Sequence, residues 1–289
     1  MTSATDSSSP DRPTGPGAAA ERPRKAVVLA RGLGTRMRRA DDSAQLDAKQ
    51  AEVANSGVKA MIDVGRPFLD YVLSVLADAG IEEVCLVIGP EHDILRDYAA
   101  RTSGGRLTVT TAVQETPRGT ADAVSAARDF AGDDRVVVLN SDNYYPLPAL
   151  EALVAAPGSA LVGFDRTALV EGSNIPADRI RAFAVVAQDA EGHLTDIVEK
   201  PDEETLAAYG EAAPVSMNCW MFTPSIFEAA ARVEPSPRGE LEIIDAVRLA
   251  RDAGEVFTVV PAAVGVLDMS SRGDISAVQE ALQGVEVRL

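Results

Sequence analysis

The sequence predicts an α/β fold, a central mixed β-sheet flanked by helices. Three observations carry this expectation. Short uninterrupted apolar runs such as AVVL (26–29) and VVVL (136–139) read as strands buried on both faces. Stretches of helical length with one apolar face stand between such runs. Strand, helix and strand then alternate along the chain, the order from which right-handed crossovers build a layered sheet.

The elements follow in order. Residues 1–24 are rich in Ser, Pro, Gly and short polar side chains, offer little to bury, and are expected to form a disordered tail. One domain is expected over residues 25–289. Its first strand, 26–29, runs into Gly32 and Gly34, which allow a tight backbone passage. Residues 38–57 are polar and poorly periodic, so a mobile surface excursion with a short helix over 47–54 is expected. Pro67 then starts a helix with Leu69, Val72, Leu73 and Leu76 on one face, and Gly80 ends it. A strand over 82–89, a helix over 92–100, a strand over 107–111, a helix after Gly119 and a strand over 135–142 continue the alternation. Later runs ALVGF, FAVVAQD, HLTDIVEKP, MNCWMFTP and EVFTVVPA read as mixed or antiparallel additions. No block of 20–50 residues repeats and no series of short repeated strands closes the chain, so no C-terminal β-helix is expected.

Composition narrows the function. Of 289 residues, 44 are Asp or Glu and 27 are Lys or Arg, a formal net charge of -17 that argues against a nonspecific grip on nucleic acid. A local positive pocket can still hold a phosphate, because nearby groups set its potential. Two cysteines, Cys85 and Cys219, exclude a disulfide framework, and 2 histidines leave no histidine-based zinc site. The chain shows neither a run approaching the roughly 20 apolar residues of a membrane span nor a signal-peptide pattern, so a cytoplasmic protein without a membrane partner is expected.

Several polar groups stand where strands end. GLGTR, residues 32–36, places Gly32, Gly34, Thr35 and Arg36 just beyond the first strand, where backbone donors and a guanidinium suit a triphosphate. The loop lacks the Lys-Ser/Thr of a P-loop and the third glycine of a dinucleotide fingerprint, since Met37 stands there. Lys59 reads equally as a phosphate contact or a solvated lysine. In QETPRGTADA, Gln114 offers an amide to a base edge and Gly119 lets backbone approach its plane, with generic turn chemistry as the alternative. Asp142, in LNSDN, and Asp268, in VLDMSSRGD, are hard oxygen ligands suited to Mg2+. Glu199 and Lys200 suit sugar hydroxyls and a phosphate, or form an ordinary exposed ion pair. Asn218 and Trp220 shape a sugar pocket, or Trp220 fills a core gap.

Together VVLARGLGTRM, Lys59 with its AMI successor, Gln114 through GTADA, LNSDN, VEKP, Asn218-Cys-Trp, GELEIIDAV and VLDMSSRGD resemble the sugar-1-phosphate nucleotidylyltransferases over roughly residues 25–280. The resemblance implies a Rossmann-like domain, dependence on Mg2+, and transfer of a nucleotidyl group from a nucleoside triphosphate to a sugar 1-phosphate. It assigns Ala30, Gly32, Gly34, Thr35, Arg36, Gln114, Gly119 and Thr120 to the nucleotide, and Asn143, Glu199, Lys200, Asn218 and Trp220 to the sugar phosphate. Arg36, Lys59 and Lys200 then act in catalysis, and Asp142 and Asp268 hold the metal. GTADA leans toward ATP and glucose 1-phosphate. Two departures, Arg31 where a small residue is usual and Ala60 where proline is frequent, leave the base open. A nucleotide-sugar-binding regulator with weak or no catalysis is the alternative reading. Oligomeric state stays open.

Overall fold

The structure, a computed structural model, describes residues 22–41, 44 and 46–289. Most of the expected tail, residues 1–21, lies outside the described residues, as do 42, 43 and 45 of the polar excursion. Twelve strands are present among the described residues: β1 Lys25–Leu29, β2 Glu83–Ile88, β3 Thr108–Val113, β4 Val136–Asn140, β5 Asn143–Tyr144, β6 Ser159–Phe164, β7 Ala184–Gln188, β8 Leu194–Val198, β9 Val215–Ser216, β10 Trp220–Phe222, β11 Phe257–Ala262 and β12 Leu267–Asp268. Ten form one sheet in the order β3-β2-β1-β4-β10-β6-β9-β7-β8, with β11 on the other edge of β6. The β3-β2-β1-β4 half is all parallel, and the pairs of β10 with β4 and β6 are antiparallel. β5 and β12 make a separate two-stranded ribbon.

The strands are apolar on both faces because both faces are covered. Ala26, Val28, Val84, Leu86, Val137 and Leu139 enter one core layer, while Val27, Cys85, Val87, Val136 and Val138 enter the other. Helix Phe68–Asp78 buries Leu69, Val72, Leu73 and Leu76 in the first layer, and Gly80, at φ 94°, turns the chain back toward β2. Helix Ile243–Asp252 buries Ile243, Ile244, Ala246, Val247 and Ala250 in the second. Burial pushes the Cys85 thiol up to about 11 and raises that of Cys219. Among the described residues no helix is long and apolar enough to cross a membrane.

The segment read as a surface excursion is in part a docked element. Asp47 accepts from the Gln50 backbone N–H at 2.8 Å while Gln50 Oε1 accepts from the Asp47 N–H at 3.2 Å, a capping box that starts helix Ala48–Ser56. Gln50 is buried and donates to the Asp63 carbonyl at 2.7 Å. Polar side chains with such local partners escape a reading based on apolar periodicity. Gly57 closes this helix and lies against Gly34: a Cβ on Gly34, which has φ 59°, would sit 2.3 Å from the Gly57 carbonyl oxygen. The glycine loop is thereby clamped to the segment that carries Lys59.

Gly34→Ala is therefore expected to lose on the order of 1–3 kcal/mol in urea unfolding. Gly32→Ala, whose Cβ would meet nothing within 4 Å, is expected to stay within about 0.5 kcal/mol of the parent. Equal stability of the two variants would contradict the clamp.

Candidate active site

Parallel pairing sends β3, β2, β1 and β4 out of the sheet at one edge, where open α/β sheets bind their ligands. Ala30 donates to the Val87 carbonyl at 2.8 Å, Ser141 to that of Leu29 at 3.1 Å and Gln114 to that of Ile88 at 2.9 Å. These bonds carry the sheet one residue further and fix where each loop departs.

Two adjoining clefts open here. The larger, about 410 Å³, is lined by Ala30 to Arg36, Lys59, Gln114, Pro117, Gly119, Thr120, Ser141 and Asp142. The second, about 310 Å³, is lined by Asn143, Arg179, Glu199, Lys200, Asn218, Asp268 and Ser270. Arg36, Lys59, Asn140, Asp142 and Asn218 face both, so they form the seam between them. Of the residues named from the sequence, the structure brings all but Trp220 to these two walls.

Trp220 is the correction. It is fully buried in β10, paired in register with Val138 and Leu161, and stacked on Phe222 with ring centroids 5.4 Å apart. Its indole N–H donates to Asn218 Oδ1 at 3.3 Å, so it supports a lining residue from behind. β10 is covered on both faces, which puts Trp220 in the core, the second of its two readings from sequence, while Asn218 precedes the strand. Gly119 also differs in its reason. Besides lining the cleft it lies against Leu241, whose carbonyl oxygen would be 2.4 Å from an added Cβ, and its φ is 128°. The neighbouring Thr120 hydroxyl accepts from the Ile243 N–H at 2.8 Å, tying this loop to the start of helix Ile243–Asp252.

The amide of Gln114 is oriented by two bonds. Its Nε2 donates to the Gly119 carbonyl at 3.0 Å and to Asp122 Oδ2 at 2.8 Å, which leaves its carbonyl oxygen as the group available to a ligand. Lys59 Nζ lies 2.8 Å from Asp142 Oδ2 at the seam. Lys200 and Asn218 have φ 46° and 57°, and they are the two non-glycine residues with positive φ among the described residues. Both line the second cleft, where backbone strain of this kind concentrates in functional sites.

Asp142 and Asp268 come together through the ribbon. The register sets Asp268 opposite Asn143, whose Nδ2 donates to Asp268 Oδ1 at 3.3 Å, and Met269 donates to the Asp142 carbonyl at 2.8 Å. Burial, then the charge of Asp142, pushes the Asp268 carboxyl up to about 6, against the opposing pull of Arg179 and Lys59. Among the described residues no three His, Cys, Asp or Glu side chains form a metal cage. Two mutually repelling carboxylates fit Mg2+, which takes one or two protein carboxylates and completes its shell with phosphate oxygens and water.

Arg179 was invisible to sequence reasoning. It pairs with Asp268 and, at 3.3 Å, with Asp274. Asn174 brackets the Asp268 backbone with two bonds of 2.8 Å. Neither residue stands in a recognisable local pattern, because their partner Asp268 is 89 and 94 positions away. Among the described residues no histidine or cysteine lines either cleft. His92 is buried and accepts from the Gly89 N–H through Nδ1 at 3.2 Å, and burial lowers its pKa.

Comparison with known proteins places the chain among relatives of one family and one fold. The chain is 31% identical over 228 residues to the low-salt glycan biosynthesis nucleotidyltransferase Agl11 of Haloferax volcanii, a match covering 78% of this chain and 56% of that one. It is 31% identical over 237 residues to a glucose-1-phosphate thymidylyltransferase of Streptomyces griseus, covering 80% and 58%. The chain thus matches less than three fifths of the length of these relatives. A UDP-glucose pyrophosphorylase solved with UDP-glucose shares the fold, with a TM-score of 0.69 at 17% identity over 91% of this chain and 99% of that one. The family model for nucleotidyl transferases matches residues 25–264, and the chain belongs to that family.

Proposed function

We propose that the chain transfers a nucleotidyl group from a nucleoside triphosphate to a sugar 1-phosphate, releasing pyrophosphate. The seam carries this reading: Arg36, Lys59 and Asp142 face two clefts at once, so groups bound in each meet over the same side chains. A phosphate oxygen of the sugar 1-phosphate attacks the α-phosphorus, the new P–O bond forms, and the bond to the β-phosphate oxygen breaks to give pyrophosphate. The attacking oxygen is already anionic, so no general base is needed. The difficulty is repulsion between two anions.

The chain's own groups address it. Gly32 offers open space for a phosphate against the backbone, with Arg36 and Lys59 beside it. Lys200 holds the acceptor phosphate from the second cleft and Glu199 takes sugar hydroxyls. Alignment across the seam supplies proximity, and the fixed cations supply charge stabilisation in the transition state. Asp142 and Asp268 would hold Mg2+, which neutralises charge on the transferring and departing phosphates. The name of the Streptomyces griseus relative makes glucose 1-phosphate the first sugar to test.

Asp142→Asn is expected to lower kcat by about 100-fold or more with little change in thermal unfolding. Unchanged turnover across a Mg2+ titration would reject its role. Lys200→Ala is expected to raise the KM for sugar phosphate by about tenfold while the KM for nucleotide stays within about twofold, and equal effects on both would reject its placement. The whole reading is tested by pyrophosphate release from a matrix of nucleoside triphosphates and sugar 1-phosphates with Mg2+. Release that needs both partners supports it, and no release from any pair contradicts it.

A further inference from the structure

Arg31 has no part in the reaction above, yet its setting is unusual for a charged residue. Its side chain is only 7% exposed, and the residue is one of those that line the larger cleft. Nε and Nη1 are shut off from solvent without a hydrogen-bond partner among the described residues. Its counter-charge, Glu91, lies 3.6 Å from Nη2, beyond hydrogen-bond reach, and is itself half exposed. A guanidinium has five donors and no acceptor, and it cannot shed its charge. Buried donors without acceptors are rare in folded proteins, and Arg31, unlike the similarly orphaned Arg166, belongs to a cleft wall where a ligand could supply the acceptor.

Position tells which part of a nucleotide that partner is. Along the sheet edge the order is β3, β2, β1, β4. Lys59 and Asp142 sit on the β4 side, where the second cleft joins. Arg31 leaves the β1 loop in the other direction, toward Glu91 beyond β2, and shares the cleft wall with Gln114 beyond β3. A triphosphate anchored at the seam carries its nucleoside to this far end. There Gln114, with its amide nitrogen already committed, presents a carbonyl oxygen as acceptor, and Arg31 presents donors alone.

The geometry points to Arg31 as a base-reading residue that selects keto bases, whose ring N–H stands beside a carbonyl oxygen, over amino bases. Uracil, thymine and guanine place that N–H toward Gln114 and the carbonyl toward Arg31. Adenine and cytosine carry an exocyclic amine in place of that carbonyl, and an amine facing a guanidinium opposes donor to donor. The inference rests on the nucleotidyl-transfer reading of the larger cleft, and it turns the weak lean toward ATP into a preference against it.

The test is calorimetric binding of UTP, dTTP, GTP, ATP and CTP with Mg2+, for the parent, Arg31→Gly, Arg31→Gln and Glu91→Gln, with thermal unfolding of each. The parent is expected to bind its best keto nucleotide about tenfold or more tightly than ATP or CTP. Both Arg31 variants are expected to bring that ratio close to one through lost keto affinity, whereas Glu91→Gln keeps it. Preference of the parent for ATP or CTP would overturn the assignment. So would a uniform loss for all five nucleotides in the Arg31 variants, which marks a phosphate contact, or lowered thermal stability with an unchanged ratio, which marks a purely structural role. Binding of none of the five by the parent would instead defeat the reading of the cleft itself, and the Arg31 assignment with it.

Discussion

The contact between Lys59 and Asp142, 2.8 Å across the seam of two clefts, is the interaction on which the rest of the site depends. It brings a cation and a carboxylate to the one place that both clefts share, and each partner is held there by a different part of the fold. Asp142 follows β4 and is tied to the ribbon through Met269. Lys59 stands two residues after Gly57, whose backbone packs against Gly34 so closely that no side chain fits between them. The glycine loop, Lys59 and the ribbon that carries Asp142 and Asp268 are therefore one mechanical unit. In a chain with a formal net charge of -17, this unit sets a lysine where the two clefts meet, and such nearby groups govern the local field.

Much of the architecture was legible because parallel strands covered on both faces leave a plain signature. AVVL and VVVL have no polar interruption, and the structure divides their residues between two core layers. Most of the site was legible for a related reason: polar residues just past such strands, Arg36, Gln114 and Asp142, lie at one sheet edge by topology alone. What was not legible depends on contacts distant in sequence. Arg179 reaches Asp268 across 89 positions, and Gly119 is required by Leu241 rather than only by a ligand. Trp220 sits inward because β10 is covered on both faces, while Asn218, two residues earlier and outside the strand, keeps the cleft with a backbone at φ 57°. Residues two positions apart can thus divide between core and site, which no local pattern announces.

The two halves of the site differ in kind. Around the larger cleft, side chains are tied by backbone approach and by bonds within the loops, as with Gln114, Gly119 and Thr120. Around the second, order comes from charge: Arg179 faces Asp268 and Asp274, and Lys200 holds a strained backbone beside them. Under the proposed nucleotidyl transfer, a rigid nucleotide side and an electrostatically tuned acceptor side suit a reaction whose main barrier is the approach of two anions.

The central claim is that the acceptor phosphate in one cleft attacks directly the α-phosphorus held in the other, with no intermediate bound covalently to the chain. The most direct measurement is the stereochemical course at phosphorus, followed with a nucleoside triphosphate of known configuration carrying sulfur on the α-phosphate. A single in-line displacement across the seam predicts a sugar nucleotide of inverted configuration. Retention would require two successive displacements, and would contradict the account.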